Sequence, residues 1–208
     1  MYDFEKIKLV IWDMDETFWK GTLSEGEIDI QPENIQLIKR LTDVGIINSI
    51  CSKNDYNKVC EKLKKFGIWD YFVFPSIDWT PKGGRIQQLI SDMQLRPVNV
   101  LFIDDNPSNL EEAKFFSPEL MTMLPDELPN LLEDAFACKK NDIAHKRLQQ
   151  YQILEKKKQQ KEKFASNEQF LYSSNIRVTW GTDCIENIDR IHDLVWRSNQ
   201  LNFTKNRS

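Results

Sequence analysis

The apolar run Leu9–Trp12 leads directly into two aspartates one residue apart, Asp13 and Asp15. Such a run is typical of a buried strand, and carboxylates at its end are costly to bury unless a cation or a reaction needs them. In α/β proteins, ligands bind in the crevice outside the carboxyl ends of parallel strands. The pattern therefore predicts an α/β fold with a chemical site at the end of its first strand.

A second apolar run, residues 99–103, also ends in paired carboxylates, Asp104 and Asp105. One aspartate of the first pair can attack phosphorus while the other acts as general acid and base, as transfer through an aspartyl phosphate requires. An anionic nucleophile approaches phosphate only when a cation neutralises charge, and oxygen ligands favour Mg²⁺. The second acidic pair therefore supplies the expected metal ligands.

Two further residues could bind a phosphoryl group. Ser52 follows the strand-like run 46–51, and Lys82 lies in the first turn of a helix predicted to begin at Pro81. Both side chains can donate to phosphoryl oxygens, and the lysine would also offset the acidic charge. Taken singly, each has an ordinary interpretation, Ser52 as a helix-capping turn residue and Lys82 as a solvent-facing lysine. Their position in the same series as the two acidic strand ends favours the functional interpretation, in which both bind a phosphoryl group.

Strand-like runs alternate with amphipathic helical patterns over the first 124 residues, which predicts a central parallel sheet covered on both faces. The expected fold is a Rossmann-like, three-layer α/β domain. Its predicted strands are 8–13, 46–51, 71–74, 99–103 and 121–124, and its first helices begin near Pro32, after Asp55 and at Pro81.

Composition divides the chain into three parts. Residues 1–138 form the predicted catalytic domain. Residues 139–172 are rich in Lys, Gln and Glu, with a thin apolar stripe that includes Leu148 and Tyr151, and are interpreted as a charged helical arm or linker. A strand pattern at 176–180 and a helical pattern at 185–195 then predict that a second domain begins in residues 173–208.

The composition also excludes several classes of function. With 208 residues and 40% hydrophobic content, the chain can bury one good core. A net charge of -4 gives no overall attraction to nucleic acid or to an anionic membrane. No apolar run approaches the length of a membrane span, and no secretory signal is visible. The four cysteines show no CxxC spacing, which argues against structural zinc and fits a reduced, cytoplasmic setting.

In its first half the chain resembles the haloacid dehalogenase (HAD) superfamily, which has four motifs. They are matched here by Asp13/Asp15, Ser52, Lys82 and Asp104/Asp105. Longer sequence segments around these motifs resemble the FkbH-like branch, subfamily IIIC, which has no large cap domain. The segments that carry this finer resemblance are TFW (17–19), CSKND (51–55), WTPK (79–82), FIDDNP (102–107) and RSNQLNFT (197–204). Glu16 and Lys20 depart from the Asn and Gly usual in that branch. The resemblance also implies that residues 173–208 are the truncated start of a second, acetyltransferase-like domain.

The resemblance implies a role for each matching residue. Asp13 would become the aspartyl phosphate, and Asp15 would protonate the leaving oxygen and then activate water. Ser52 and Lys82 would hold the phosphoryl group, and the substrate-binding residues would be Ser52, Lys53, Asn54 and Lys82. The ligands of Mg²⁺ would be Asp13, the backbone carbonyl of Asp15, Asp105 and, directly or through water, Asp104.

Members of the FkbH-like branch remove phosphate from a glyceryl donor and load the glyceryl unit on an acyl carrier protein. The resemblance thus implies a biosynthetic enzyme with a phosphorylated small-molecule substrate and a carrier partner, and Cys51 is a candidate acyl relay. At the end of an apolar strand, however, Cys51 is more often a packed core thiol than a nucleophile, and no histidine is an obvious partner to activate it. Two other hypotheses stay open: a simple phosphatase of a small metabolite, and a non-catalytic docking module for a carrier or synthase partner.

Overall fold

The computed structural model describes residues 2–162, 187–189 and 191. The chain divides into two compact units, residues 1–162 and residues 163–208, and the first is described below. The predicted second domain at 173–208, including its strand at 176–180 and the motif at 197–204, falls almost wholly outside the described residues. Within the described part, no helix is both long and apolar enough to cross a bilayer.

Seven strands lie in the described part of the chain. Their bounds are β1 Leu9–Trp12, β2 Trp19–Lys20, β3 Asp29–Ile30, β4 Ile47–Ser52, β5 Ser76–Ile77, β6 Val100–Ile103 and β7 Met121–Met123. Five of them form a parallel sheet in the order β5-β4-β1-β6-β7, while β2 and β3 form a small antiparallel pair. All four residues of β1 are buried, as expected for a central strand covered on both faces.

Within residues 2–162, six α-helices cover this sheet. Their bounds are α1 Pro32–Asp43, α2 Tyr56–Lys65, α3 Lys82–Asp92, α4 Pro107–Phe116, α5 Leu128–Ala137 and α6 Lys146–Glu162. One apolar cluster contains Leu37 and Leu131 from α1 and α5, and the other contains Ile86, Ala113 and Leu148 from α3, α4 and α6. Because the helices form two separate cores with the sheet between them, the predicted Rossmann-like three-layer fold is confirmed.

The edge strand β5 lies a few residues later than the sequence pattern predicts. Tyr71 ends a 3-10 turn, and Phe72 makes only an isolated bridge to Asn48. Phe74 has a positive φ of 51°, and Pro75 has no amide hydrogen to donate to a neighbouring strand. Regular pairing with β4 therefore begins only after these two residues.

Helix α6, in the segment predicted to be a charged arm, packs on the first unit. Leu148 is buried, and the Arg147 guanidinium donates to the carbonyl of Gly45 at 3.0 Å. The Glu155 carboxylate accepts a hydrogen bond from the amide of Phe74 at 3.0 Å. The helix thus belongs to the same compact unit as the sheet, which extends to residue 162.

Candidate active site

The acidic ends of β1 and β6 lie side by side because these strands are neighbours in the sheet. Trp12 pairs in register with Ile103, and the amide of Asp13 donates to the carbonyl of Ile103 at 2.9 Å. Asp13 and Asp104 therefore lie side by side, each directly after the last paired residue of its strand. One carboxylate oxygen from each of Asp13, Asp104 and Asp105 lies within 4.8 Å of the other two. We call these three residues the carboxylate cluster.

Lys82 reaches into the carboxylate cluster from the first residue of α3. Its Nζ lies 2.7 Å from Asp13 Oδ1 and 2.6 Å from Asp104 Oδ2, and its side chain is 2% exposed. Burial disfavours the ammonium, but the two carboxylates outweigh it and raise the pKa of Lys82 above its ordinary value. One ammonium against three carboxylates leaves the cluster negatively charged.

The carboxylate cluster lies where ionisation is unfavourable. Burial raises the pKa of Asp13 to about 6, and the charge of Asp104 adds to this rise, while Lys82 and Ser52 oppose it. Burial and the charge of Asp104 also raise the pKa of Asp105. Carboxylates perturbed in this way, and gathered at one edge of a sheet, are typical of a functional site.

The donor set of the cluster fits a hard divalent cation. All three residues offer carboxylate oxygens, and no histidine or cysteine joins them among the described residues. Mg²⁺ prefers such oxygen ligands, whereas zinc and softer metals favour nitrogen and sulfur. The negative charge that Lys82 leaves uncompensated also favours binding of a divalent cation.

The Asp15 carboxylate is held by neighbours outside the carboxylate cluster. Its Oδ1 accepts from the indole Nε1 of Trp19 at 2.8 Å and from the amide of Leu23 at 3.1 Å. Its Oδ2 accepts from the amide side chain of Asn54 at 3.0 Å. Trp19 and Leu23 belong to the flap, which we define as residues 14–31, containing β2 and β3. These three donors fix the orientation of an acidic group next to Asp13.

The end of β4 brings three more of the predicted site residues to this edge of the sheet. Ser52 is buried, and its side chain lowers the pKa of Asp13 against the effect of burial. Lys53 is exposed, with Nζ 3.5 Å from Asn109 Oδ1. Asn54 is buried, and its side-chain oxygen accepts from the next amide along the chain at 3.0 Å. The four predicted segments thus meet at one edge of the sheet.

Cys51 precedes Ser52 but lies on the other face of β4, as side chains alternate along a strand. It is fully buried in the apolar cluster that contains Val73 and Ile86. Burial raises the pKa of the Cys51 thiol to about 12. A thiol that is inaccessible and protonated is a poor nucleophile, so its placement argues against the acyl relay.

Thr17 and Asn109 also contact the carboxylate cluster, although no role follows for them from the sequence pattern. The Thr17 hydroxyl accepts from the amide of Asp105 at 2.9 Å and lies 3.4 Å from Asp105 Oδ1. The Asn109 amide donates to both carboxylate oxygens of Asp104, at 2.9 and 3.2 Å. Each lies within five positions of an acidic pair, and this proximity is the signal that could have indicated them.

A cleft of about 260 Å³ lies between the flap and the amino-terminal ends of α1 and α5. Thr17, which contacts Asp105, is also a wall of this cleft, so the cleft adjoins the carboxylate cluster. Its apolar lining is Trp19, Leu37, Pro125, Leu128, Pro129 and Leu132, and its polar lining includes Lys20, Gln31, Glu33 and Asp126.

Comparison with solved structures identifies a similar phosphatase domain. This is the N-terminal part of the protein BF1531 from Bacteroides fragilis, which contains a phosphatase domain and was solved in complex with Mg. The similarity has a TM-score of 0.55 and 22% sequence identity, and covers 66% of this chain and 41% of the Bacteroides chain. The matched two thirds of this chain have the same fold as the matched part of the Bacteroides chain. The chain spans only about two fifths of its length.

Two 3-deoxy-D-manno-octulosonate 8-phosphate phosphatases show weaker similarity. The enzyme from Haemophilus influenzae, bound to cobalt, has a TM-score of 0.49 and 17% identity over 81% of this chain and 98% of its own. The enzyme from Moraxella catarrhalis, with magnesium and phosphate, has a TM-score of 0.46 and 18% identity over 64% and 90%. These values are too low to support an inference. No protein-family model and no curated protein matches the sequence.

Proposed function

We propose that this chain is a Mg²⁺-dependent phosphatase of the HAD superfamily that hydrolyses phosphate monoesters through an aspartyl phosphate. The observation that carries the proposal is the convergence of Asp13, Asp104 and Asp105, within 4.8 Å of one another, on the buried ammonium of Lys82. A nucleophile, metal ligands and a fixed cation at the end of a central strand are what phosphoryl transfer needs. The phosphatase domain of the similar Bacteroides protein supports this proposal through its fold.

In the proposed reaction, a carboxylate oxygen of Asp13 attacks phosphorus and the bond to the leaving oxygen breaks. Asp15 donates its proton to that oxygen, which leaves as an alcohol. Asp15 then takes a proton from water, whose oxygen attacks phosphorus and releases phosphate from Asp13. Ser52 and Lys82 donate hydrogen bonds to the phosphoryl oxygens throughout, and Lys53 and Asn54 complete the substrate-binding set.

The metal ligands proposed for Mg²⁺ are the carboxylates of Asp13 and Asp105 and the backbone carbonyl of Asp15, with Asp104 in support. Bound there, the ion would neutralise the repulsion between the nucleophile and the phosphoryl group. Asp104 accepts from Lys82 and, at both carboxylate oxygens, from Asn109, so it is better suited to holding the lysine and, through water, the ion.

Phosphate monoester hydrolysis is tested with a generic aryl phosphate substrate and added Mg²⁺. The wild-type chain should turn over the substrate, and EDTA should abolish the activity. Asp13→Asn, which keeps the size of the side chain, should lower the rate by at least about a thousandfold because the nucleophile is lost. Asp70→Asn is the control, since Asp70 is exposed on a 3-10 turn. Equal activity of the two variants would contradict the proposal.

The finer proposal is that the site serves FkbH-like glyceryl transfer to an acyl carrier protein in a biosynthetic pathway. Its support is the sequence resemblance, and the cleft beside Thr17 offers space for the organic part of a small phosphorylated donor. Because Cys51 is buried, we propose that the thiol of the carrier attacks the acyl carbon of an acyl phosphate donor directly. The carbon–oxygen bond to phosphate breaks, and phosphate leaves as the thioester forms. Mass spectrometry after incubation with a phosphorylated glyceryl donor should show an acyl adduct on the carrier; its absence would leave simple hydrolysis as the function.

A docking module without catalysis is less well supported, because binding alone gives no reason to bury a lysine between carboxylates. A cytoplasmic location stays a prediction. It is supported by the cysteines of the described part, since Cys51, Cys60 and Cys138 are free thiols.

A further inference from the structure

Arg85 makes a set of hydrogen bonds that the proposed reaction does not use. Its guanidinium donates to the backbone carbonyls of Ser52 at 3.1 Å, Asp78 at 3.0 Å and Thr80 at 3.1 Å. It also donates to the Ser76 hydroxyl at 2.9 Å and to the Ser76 carbonyl. The side chain is 11% exposed. One guanidinium therefore ties together the ends of β4 and β5 and the loop that leads into α3.

The position of Arg85 on α3 connects these contacts to the phosphoryl site. Arg85 lies three residues after Lys82, so both side chains project from the same region of the helix, one turn apart. Lys82 holds Asp13, while Arg85 holds the carbonyl of Ser52, the last residue of β4. A shift of β4 relative to α3 would therefore change the position of Ser52 relative to Lys82.

We propose that Arg85 is a positioning residue that locks the end of β4 to α3, so that Ser52 and Lys82 converge on the same phosphoryl group. The inference rests on the proposed function, because the phosphoryl group is its common target. A planar guanidinium has five donors in a fixed fork and can span several carbonyls at once. A lysine has a single ammonium and cannot reach the same set of acceptors.

The test compares Arg85→Met and Arg85→Lys with wild type in two assays: turnover of an aryl phosphate with Mg²⁺, and calorimetric binding of inorganic phosphate with Mg²⁺. Loss of a group that orients a ligand typically costs 10–100-fold, so Arg85→Met should lower kcat/KM by about that factor. It should also weaken phosphate binding, and Arg85→Lys should recover part of both. Arg96→Met is the matched control, since Arg96 is exposed outside the site.

A double-mutant cycle with Ser52→Ala separates positioning from general destabilisation. If Arg85 acts through Ser52, the loss caused by Arg85→Met in kcat/KM and in phosphate affinity should shrink at least severalfold in the Ser52→Ala background. Equal losses in both backgrounds would overturn the inference, as would wild-type behaviour of Arg85→Met. If Arg85→Met does not fold, the same cycle with Arg85→Lys decides.

The two assays keep this inference distinct from the proposed function. A wild-type chain that binds phosphate but does not hydrolyse the aryl phosphate contradicts the phosphatase proposal. The double-mutant cycle measured on phosphate affinity then tests the role of Arg85. A wild-type chain that neither binds phosphate nor hydrolyses the ester overturns both.

Discussion

Replacing Lys82 by Met tests whether the buried ion pairs of the site stabilise the fold. Methionine keeps the approximate length of the side chain, but Asp13 and Asp104 lose the ammonium that lies 2.7 and 2.6 Å from them. Removing one partner of a buried ion pair costs about 3–5 kcal/mol, because the remaining charge stays buried without compensation. For a unit of this size, residues 1–162, the loss lowers Tm by on the order of 10 °C.

The assay is urea denaturation at neutral pH in the presence of EDTA, so that no divalent cation replaces the lysine. Lys114→Met is the matched control, because the Lys114 ammonium is exposed and lies 2.9 Å from Glu111 on the surface of α4. An exposed pair of this kind contributes about 0–1 kcal/mol. The free energy of unfolding should therefore fall much further in Lys82→Met than in Lys114→Met.

Two results would refute this reasoning about Lys82. The first is a free energy of unfolding for Lys82→Met within about 1 kcal/mol of the Lys114→Met value. Added Mg²⁺ should stabilise Lys82→Met more than the wild type, because Asp13 and Asp104 no longer share an ammonium in the variant. The second refuting result is that added Mg²⁺ stabilises the two proteins equally. If added Mg²⁺ stabilised neither protein, the carboxylate cluster would not be a metal site.

Three other measurements test separate parts of the structure. Because burial raises the pKa of Cys51 to about 12, this thiol should resist alkylation near pH 8 until urea unfolds the chain, whereas the half-buried cysteines should react first, as read by mass spectrometry. Burial also raises the pKa of Glu155, so between its unfolded and folded pKa values the folded state binds more protons than the unfolded one. The contribution of Glu155 to the free energy of unfolding therefore falls as pH rises through that interval. Glu155→Gln keeps an acceptor for the amide of Phe74, and urea denaturation between about pH 4 and about pH 7 should show the wild type losing stability relative to this variant as pH rises. Thr17→Val removes the hydroxyl that contacts Asp105, so calorimetry should show Mg²⁺ affinity about tenfold lower, and an unchanged affinity would contradict a role for Thr17.

Local sequence patterns were sufficient to predict most elements of the α/β unit. The apolar runs before Asp13 and Asp104 became β1 and β6, and the helix predicted from Pro32 begins there. The strand predicted at 71–74 was wrong because Phe74 adopts a left-handed conformation and Pro75 cannot donate to a ladder. A propensity for strand does not report the backbone turn that tertiary packing imposes.

The sequence by itself determined the chemistry available to the site. Two strand ends carry acidic pairs, a serine follows another strand-like run, and a lysine falls at the start of a helix, all of which is readable from residue type and spacing. Spacing along the chain also predicts that the carboxyl ends of parallel strands share one edge. These patterns depend on local physical preferences, which the chain carries before it folds.

Only the tertiary structure decided which groups meet. Lys82 lies 69 positions after Asp13 in the chain, yet their charged atoms are 2.7 Å apart because α3 packs beside the central strands. The same packing places Arg85 on the carbonyl of Ser52 and buries Cys51 in the apolar cluster that contains Ile86. Such contacts depend on the order of strands in the sheet and on which face each side chain takes, and both are settled by burial of the whole core rather than by any local segment.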